Sequence, residues 1–305
     1  MNRKAIKYAL KDESFNPLDN VIMEESDLAP YANRYRDDEN GVWLYKGNCL
    51  EILDAIIKKY PEGRFDVIFA DPPYFLSNGG ITCHAGKMVK VDKGDWDKSQ
   101  GPELNHEFNK EWLKRCQRVL KPNGTIWVSG TQHVIFSVGY AMQQLGMKIL
   151  NDIIWEKPNP PPNLSCRYFT HSTETIIWAG KDAKTKHIFN YDLMRQQNQG
   201  KQMKSVWTMQ APRPDEKIHG KHPTQKPIAL VERCILASTH AGALVLDPFV
   251  GSGTTAIAAL RNKRHCVGID LSDEYLELAV KRIKDGSKNK ESSFEFTSQQ
   301  DQVLI

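Results

Sequence analysis

No stretch of the 305 residues reads as a membrane span or a signal peptide, so a soluble, cytoplasmic chain with no membrane partner is expected. Paired cysteines are missing as well. The six cysteines, Cys49, Cys83, Cys116, Cys166, Cys234 and Cys266, lie far apart with no Cys-x-x-Cys among them. That argues against a disulfide framework and a zinc site, and leaves reduced thiols that serve as small buried hydrophobes; no metal is expected. Charge of one sign is also scarce. A net charge of +4 permits a polyanionic partner without requiring one, so local clusters carry more information. With 40% hydrophobic and 26% charged residues the composition is that of a globular chain with a substantial core, and the length allows one large or two small domains.

The most informative stretch is Phe65 to Tyr74. Val67, Ile68 and Phe69 form a short continuous apolar run, as in a parallel strand buried on both faces. Pro72 and Pro73 then stop the strand, because neither can donate to a ladder and both fix φ. Asp71 and Tyr74 are thereby held on a stiff turn at the carboxyl end of a strand, where open α/β sheets bind ligands. The Pro-Pro backbone offers carbonyl acceptors and no donors, and Asp71 adds more acceptors. A planar group with an amino substituent, stacked on Tyr74, would suit this corner. A proline turn with a solvated Asp71 is the plainer alternative.

Residues 1 to about 40 show no periodicity and an excess of acids, and read as an N-terminal extension whose charge has the wrong sign for a DNA-binding arm. From Gly41 the pattern alternates: a strand to Gly47-Asn48, a helical stripe of Leu50, Leu53, Ile56 and Ile57, then the Asp71 strand. Residues 77–106 form a long polar stretch, of the kind that is either a functional lid or disordered. Glu107 to Leu120 reads as a helix, Thr125 to Val128 as a strand, Val134 to Leu145 as a helix and Ile149 to Trp155 as a strand. The run Glu156 to Asn163 must be extended and stands at a strand end, so a wall of a cleft competes with a stiff linker. From Lys181 to Lys226, ten bases face four acids, with Tyr191, Trp207 and several amides between them. Such a mixture suits phosphate contact and base-edge readout, the simple alternative being a solvated insertion. The tail from about Asp285 is polar, and disorder is expected for residues 286–305.

A second constellation follows. Ala243 to Asp247 is a strand, Pro248 to Thr255 a glycine turn leading into a helix, and Cys266 to Asp270 another strand, with Asp270 placed 23 residues after Asp247. This is the layout of a nucleotide-binding βαβ unit, in which Asp270 would take the ribose hydroxyls. Gly251 and Gly253 would let the backbone approach a ligand closely. An acid at Asp247 would repel a pyrophosphate and would suit a cation. A nucleoside with a cationic amino-acid tail, S-adenosylmethionine, meets all of these conditions.

Three motifs in this order, Asp71-Pro72-Pro73-Tyr74, His222-Pro223-Thr224-Gln225-Lys226-Pro227 and Asp247 to Thr254, make the chain from about 41 to 285 resemble the β group of amino-methylating DNA methyltransferases. Residues 71–80, 91–97 and 163–174 resemble the accessory adenine methyltransferase of GATC restriction systems. The resemblance implies an α/β, circularly permuted Rossmann-like fold, a mostly parallel seven-stranded sheet with helices on both faces and the catalytic half first. It implies target-recognition segments near 77–106 and 181–221. The catalytic residues would be Asp71, Pro72, Pro73 and Tyr74. S-adenosylmethionine would be held by Thr224, Lys226, Asp247, Phe249, Gly251, Ser252, Gly253, Thr254 and Asp270. Arg167, Lys201, Lys204 and Arg213 would contact DNA, duplex or single-stranded. A homodimer and a cognate restriction endonuclease are further partners it suggests. One departure is Asn48, where many members carry Asp, so a carboxylate role there is lost.

The reaction implied is transfer of a methyl group to adenine N6. Asp71 and the Pro72 carbonyl would each accept an amino hydrogen and localise the lone pair, with the base extruded onto Tyr74 and no covalent enzyme intermediate. N4-cytosine methylation is the nearest rival, though cytosine members usually carry Ser in place of Asp71. RNA base methylation, and a non-catalytic DNA-binding or cofactor-sensing module, are the others.

Overall fold

The computed structural model describes residues 32–76, 81–84, 87–90, 97–220 and 222–288. Its strands are β1 (Ala32–Asp37), β2 (Val42–Lys46), β3 (Phe65–Ala70), β4 (Ile81–His84), β5 (Lys87–Lys90), β6 (Leu120–Gly130), β7 (Lys148–Glu156), β8 (Thr173–Gly180), β9 (Val206–Thr208), β10 (Leu244–Asp247) and β11 (His265–Asp270). The helices are α1 (Cys49–Lys59), α2 (Pro102–Val119), α3 (Ile135–Gln144), α4 (Tyr191–Gln197), α5 (Ile228–Ser238), α6 (Thr254–Arg261) and α7 (Asp273–Lys288).

Nine strands form one sheet in the order β1-β2-β11-β10-β3-β6-β8-β7-β9, and β4 and β5 form a separate hairpin. The expected seven strands run from β2 to β7, with one further strand at each edge. From β2 to β6 all neighbours are parallel, and β8 is antiparallel to both β6 and β7. The parallel strands are apolar throughout because both faces are covered: Val42, Trp43 and Leu44, like Val67 and Ile68, have no exposed surface. Side chains of α1, α2 and α3 fill one core, and those of α5, α6 and α7 fill the other.

This layering positions the site. The chain leaves β3 toward α2 on one face, while β10, its neighbour in the sheet, feeds α6 on the other. Diverging connections open a crevice at the carboxyl ends of two adjacent strands. Asp71 and Asp247 end those strands, since Leu246 pairs with Ile68.

Several boundaries differ from expectation. The sheet begins before Gly41, because Ala32–Asp37 pairs antiparallel with β2. Its residues are polar, as an edge strand allows, which hides it from a search for apolar runs. Helix α2 starts at Pro102, five residues before Glu107, a sound first position for proline. Helix α7 runs on to Lys288. The expectations for residues 1–31, 77–80, 85–86, 91–96, 221 and 289–305 lie outside the described residues. Among the described residues, no helix is long and apolar enough to cross a membrane.

Candidate active site

Asp71 sits at the end of β3 and is fully engaged. Its Oδ1 accepts hydrogen bonds from the Tyr74 hydroxyl and the Ser129 hydroxyl, each at 2.6 Å, and its Oδ2 accepts from Lys226 Nζ at 2.6 Å. Lys226 is buried, donates to the Thr224 carbonyl at 3.1 Å and lies 3.6 Å from Glu174 Oε2. Lys157 in turn donates to the other oxygen of Glu174. Charges of alternating sign thus run Lys157, Glu174, Lys226, Asp71, the arrangement that makes burial of ions tolerable. Burial alone would pull the Lys226 ammonium down, but Asp71 and Glu174 outweigh it and hold its pKa above the ordinary lysine value. Burial pushes Glu174 up, and the ammonium groups of Lys226 and Lys157 more than reverse that. The Tyr74 phenol is driven well above its usual range by burial and by the charges of Asp71 and Glu174, so it stays a neutral donor.

Tyr74 was expected to offer an open stacking face. Its ring is 4% exposed and carries the Lys226 ammonium 5.3 Å from its centroid, so that face is covered in this structure.

The turn after β10 forms the other side. Asp247 is buried, with Oδ1 accepting from the Phe249 amide at 3.0 Å and Oδ2 from the Thr255 hydroxyl at 2.5 Å. Burial is the main reason that its carboxyl is pushed up to about 7. Asp270 closes the turn: Oδ2 accepts from the Gly251 amide and Oδ1 from the Ser272 amide, both at 2.9 Å, and burial raises its pKa too. Gly251 and Gly253 both have positive φ, of 47° and 77°. Their nearest constraints are protein: a Cβ would meet His222 Nε2 at 3.0 Å in the first case and the Ala279 methyl at 2.9 Å in the second. Gly253 is therefore required for packing against α7, and close approach of a ligand is not its structural reason. Arg282 on α7 donates to the Ser252 carbonyl and to Thr254 Oγ1, fastening both residues from behind.

Both halves face one cleft, lined by Asp71, Thr224, Lys226, Asp247, Phe249, Gly251, Ser252 and Thr254, among others; Gly253 is not in the lining. The motifs, separated by more than 170 residues in sequence, thus share a wall. The donor set suits a cationic nucleoside. Asp247 supplies a carboxyl floor that a cation would favour in its ionised form, Phe249 an aromatic edge, and Gln225, also in the lining, has a buried Oε1 with no hydrogen-bond partner among the described residues. Phe249 serves two purposes, since it also packs edge-on against Trp112 with ring centroids 5.3 Å apart. Asn48 lies at the start of α1, where its side-chain oxygen accepts from the Leu50 amide at 2.9 Å, a capping role that an amide fills as well as a carboxylate.

The candidate DNA contacts are spread out. Arg167 lies on the exposed β7–β8 loop, which is closed at its base by Lys157 N donating to the Ser172 carbonyl, directly beside Glu174. Arg213 follows β9, which pairs with the carboxyl end of β7 and so lies at the active end of the sheet. Lys201 and Lys204 precede β9 and are exposed along the outer edge. Lys181 bonds back to Gly124 at the opposite end of the sheet, so the basic segment is not one continuous surface. Trp207, read as a base-contacting aromatic, is 5% exposed and belongs to the core beside Trp127. Sequence reasoning missed Ser129, Glu174, Lys157 and Asp97. Glu174 and Asp97 lie in two segments already distinguished by resemblance, whereas Ser129 carried no signal.

Residues 65–281 match the family model described as DNA methylase. The type II methyltransferase M2.DpnII of Streptococcus pneumoniae is 60% identical over 256 residues, covering 84% of this chain and 92% of that protein. The type II methyltransferase M2.LlaDCHI of Lactococcus lactis subsp. cremoris is 55% identical over 254 residues, 83% of this chain and 93% of that one. Among solved structures, the complex of M1.HpyAVI with SAM superposes with a TM-score of 0.61 at 28% identity, over 79% of this chain and 98% of that one. Because the match takes in the acceptor corner, the glycine turn and the sheet between them, the chain belongs to the DNA methylase family, with S-adenosylmethionine as its cofactor.

Proposed function

We infer that this chain methylates adenine at N6 in DNA, at GATC sites. The observation that carries the reading is a carboxylate, Asp71, fixed by three donors at a proline corner in the same cleft as the Asp247 turn. Family likeness adds to it: cytosine-modifying members usually have Ser at that position, and the relatives share most of their length with this chain.

When bound, S-adenosylmethionine supplies a methyl group made electrophilic by its sulfonium. The protein's task is to make a poor nucleophile better and to aim it. Asp71 and the Pro72 carbonyl each accept one hydrogen of the adenine amine, which draws the lone pair back onto N6. Asp71 also stands beside the amine as acceptor for the proton it sheds. Since Lys226 holds Oδ2 in this structure, the amine must share that oxygen or displace the ammonium; Glu174, 3.6 Å away, gives the ammonium a second seat. The base has to leave the duplex stack to reach the corner, at a cost of a few kcal/mol. Positioning and electrostatics then supply the acceleration.

The segments near 77–106 and 181–221 are proposed as target-recognition elements together with the loop bearing Arg167, because that loop and the end of β9 that leads to Arg213 lie at the active end of the sheet. Since the relatives are type II methyltransferases, a restriction endonuclease of the same specificity is a proposed companion. A palindrome such as GATC also suits a two-fold pair of chains. The test is expression in a host that lacks adenine methylation, followed by sequencing of methylated positions. Methylated adenine in GATC is the expected result; methylation confined to other sequences, or to cytosine, overturns the reading.

A further inference from the structure

Asp97 has no exposed surface, and its carboxylate faces three consecutive backbone amides of the catalytic turn. Oδ1 accepts from Tyr74 N at 2.8 Å and Phe75 N at 2.7 Å, and Oδ2 from Leu76 N at 3.0 Å. Three successive N–H groups converge on one anion only where the chain curls into a nest. The curl has a cost, borne at Phe75, which adopts φ +58°, a left-handed conformation that is an outlier for a bulky side chain. Nothing on the Pro72-Pro73 side can supply these bonds, since prolines have no N–H.

We propose that Asp97 is a positioning residue for methyl transfer: it locks the turn at Tyr74–Leu76 so that the Tyr74 hydroxyl holds Asp71 in its reactive orientation. The proposal rests on the reading of Asp71 as the acceptor for the adenine amine. The path is short and continuous. Asp97 binds the Tyr74 backbone, the Tyr74 hydroxyl donates to Asp71 Oδ1 at 2.6 Å, and Asp71 meets the substrate. Asp97 also stands between the β4–β5 hairpin and α2, so the segment that follows the catalytic turn returns to clamp it. The S-adenosylmethionine cleft contains neither Asp97 nor residues 75–76 in its lining, so cofactor binding should be indifferent to the change.

Asp97→Asn keeps the shape of the side chain but turns one acceptor into a donor facing an N–H. In single-turnover methylation of a GATC duplex, its rate should fall by about 100-fold, the scale for a catalytic group displaced by about an ångström. Calorimetric affinity for S-adenosylmethionine should stay within about twofold of the unaltered protein, because that binding does not involve the turn. The fluorescence of 2-aminopurine placed at the target adenine should report a less firmly held extruded base. The decisive variant is Asp97→Asn with Phe75→Gly. Glycine adopts the left-handed conformation without strain, so the double variant should regain about tenfold over Asp97→Asn alone. Asp97→Ala, which removes the anion entirely, is compared by urea unfolding to separate loss of fold from loss of orientation. A normal rate for Asp97→Asn overturns the proposal. So does a loss explained by weaker cofactor binding or a smaller folded fraction, or a double variant no faster than the single one. If the unaltered protein methylates the duplex and Asp71→Ala does not, the reading of Asp71 stands whatever Asp97 shows.

Discussion

Asp71 and Arg167, both proposed to meet the DNA substrate, sit under opposite electrostatic conditions. Around Asp71 every charge is already matched: Lys226 on one oxygen, two hydroxyls on the other, Glu174 and Lys157 closing the chain. Arg167 is exposed on the β7–β8 loop and, like Lys201 and Lys204, has no acidic partner among the described residues. A buried group must have its partners in place before the substrate arrives, because an unpaired charge in the interior costs several kcal/mol. An exposed cation can wait for a phosphate at little cost, since water solvates it. The proposed division is therefore a corner that orients and arms that attract. Removing a group from each should change different quantities by different amounts.

The largest effect belongs to the corner. Asp71→Ala should leave affinity for S-adenosylmethionine within about threefold and lower the rate of methyl transfer by about 100- to 1,000-fold or more, as when a preorganised electrostatic partner of the transition state is lost. Lys226 retains Glu174 in that variant, so the pair is not left wholly unbalanced. Calorimetry with the cofactor and transfer of a labelled methyl group to duplex DNA measure the two quantities. A variant that still transfers at the normal rate takes the acceptor role away from Asp71.

The cofactor floor should respond to pH. An unfolded aspartate titrates near 3.9, while burial, only partly relieved by the Thr255 hydroxyl and the Phe249 amide, pushes Asp247 up to about 7 in the folded chain. Between those values the folded state holds a proton that the unfolded state has lost. Stability therefore falls as pH rises from about 4 to about 7, and the full penalty is present above that window. Asp247→Asn, which cannot ionise, should flatten this part of the pH profile in urea unfolding. Adding S-adenosylmethionine should offset the loss at pH 8 in the unaltered chain and do so less in the variant, because a cation favours the carboxylate. Parallel pH profiles for the two proteins would show that Asp247 does not titrate in this range.

The same contrast decides what was legible beforehand. Val67 to Phe69 announced a buried strand because both faces of a parallel sheet must be apolar, and the prolines after it announced the turn. Strand β9, three residues long, and β1, polar along its length, left no such pattern, since edge strands are held by ladder bonds more than by burial. Trp207 misled for a related reason: an aromatic in a polar, basic stretch is equally compatible with a base contact and with a core anchor, and only packing beside Trp127 tells which it is. Asp71 and Asp247 could be singled out because turns and spacing fixed their neighbours locally. Glu174 and Asp97 could not be assigned roles, because their partners, Lys226 in one case and the amides of Tyr74, Phe75 and Leu76 in the other, come from distant parts of the chain.

The smallest effect belongs to the arms, and it should appear in salt dependence before it appears in rate. Each phosphate neutralised on duplex DNA adds about 0.9 to the slope of log affinity against log salt. Arg167→Ala should reduce that slope by about one such step and weaken binding uniformly across sequences, with KM for DNA changing more than kcat. Arg213→Ala should do less, because Asp215 at 3.7 Å already offsets part of its charge. Lys201 and Lys204, out along the sheet edge, should matter only if the duplex extends that far, so their variants measure the footprint. Binding titrations of the four variants between low and physiological salt put them in order. Should Arg167→Ala instead abolish transfer at saturating DNA with its salt slope intact, the loop beside Glu174 acts on the chemistry, and the division between a corner that orients and arms that attract fails there.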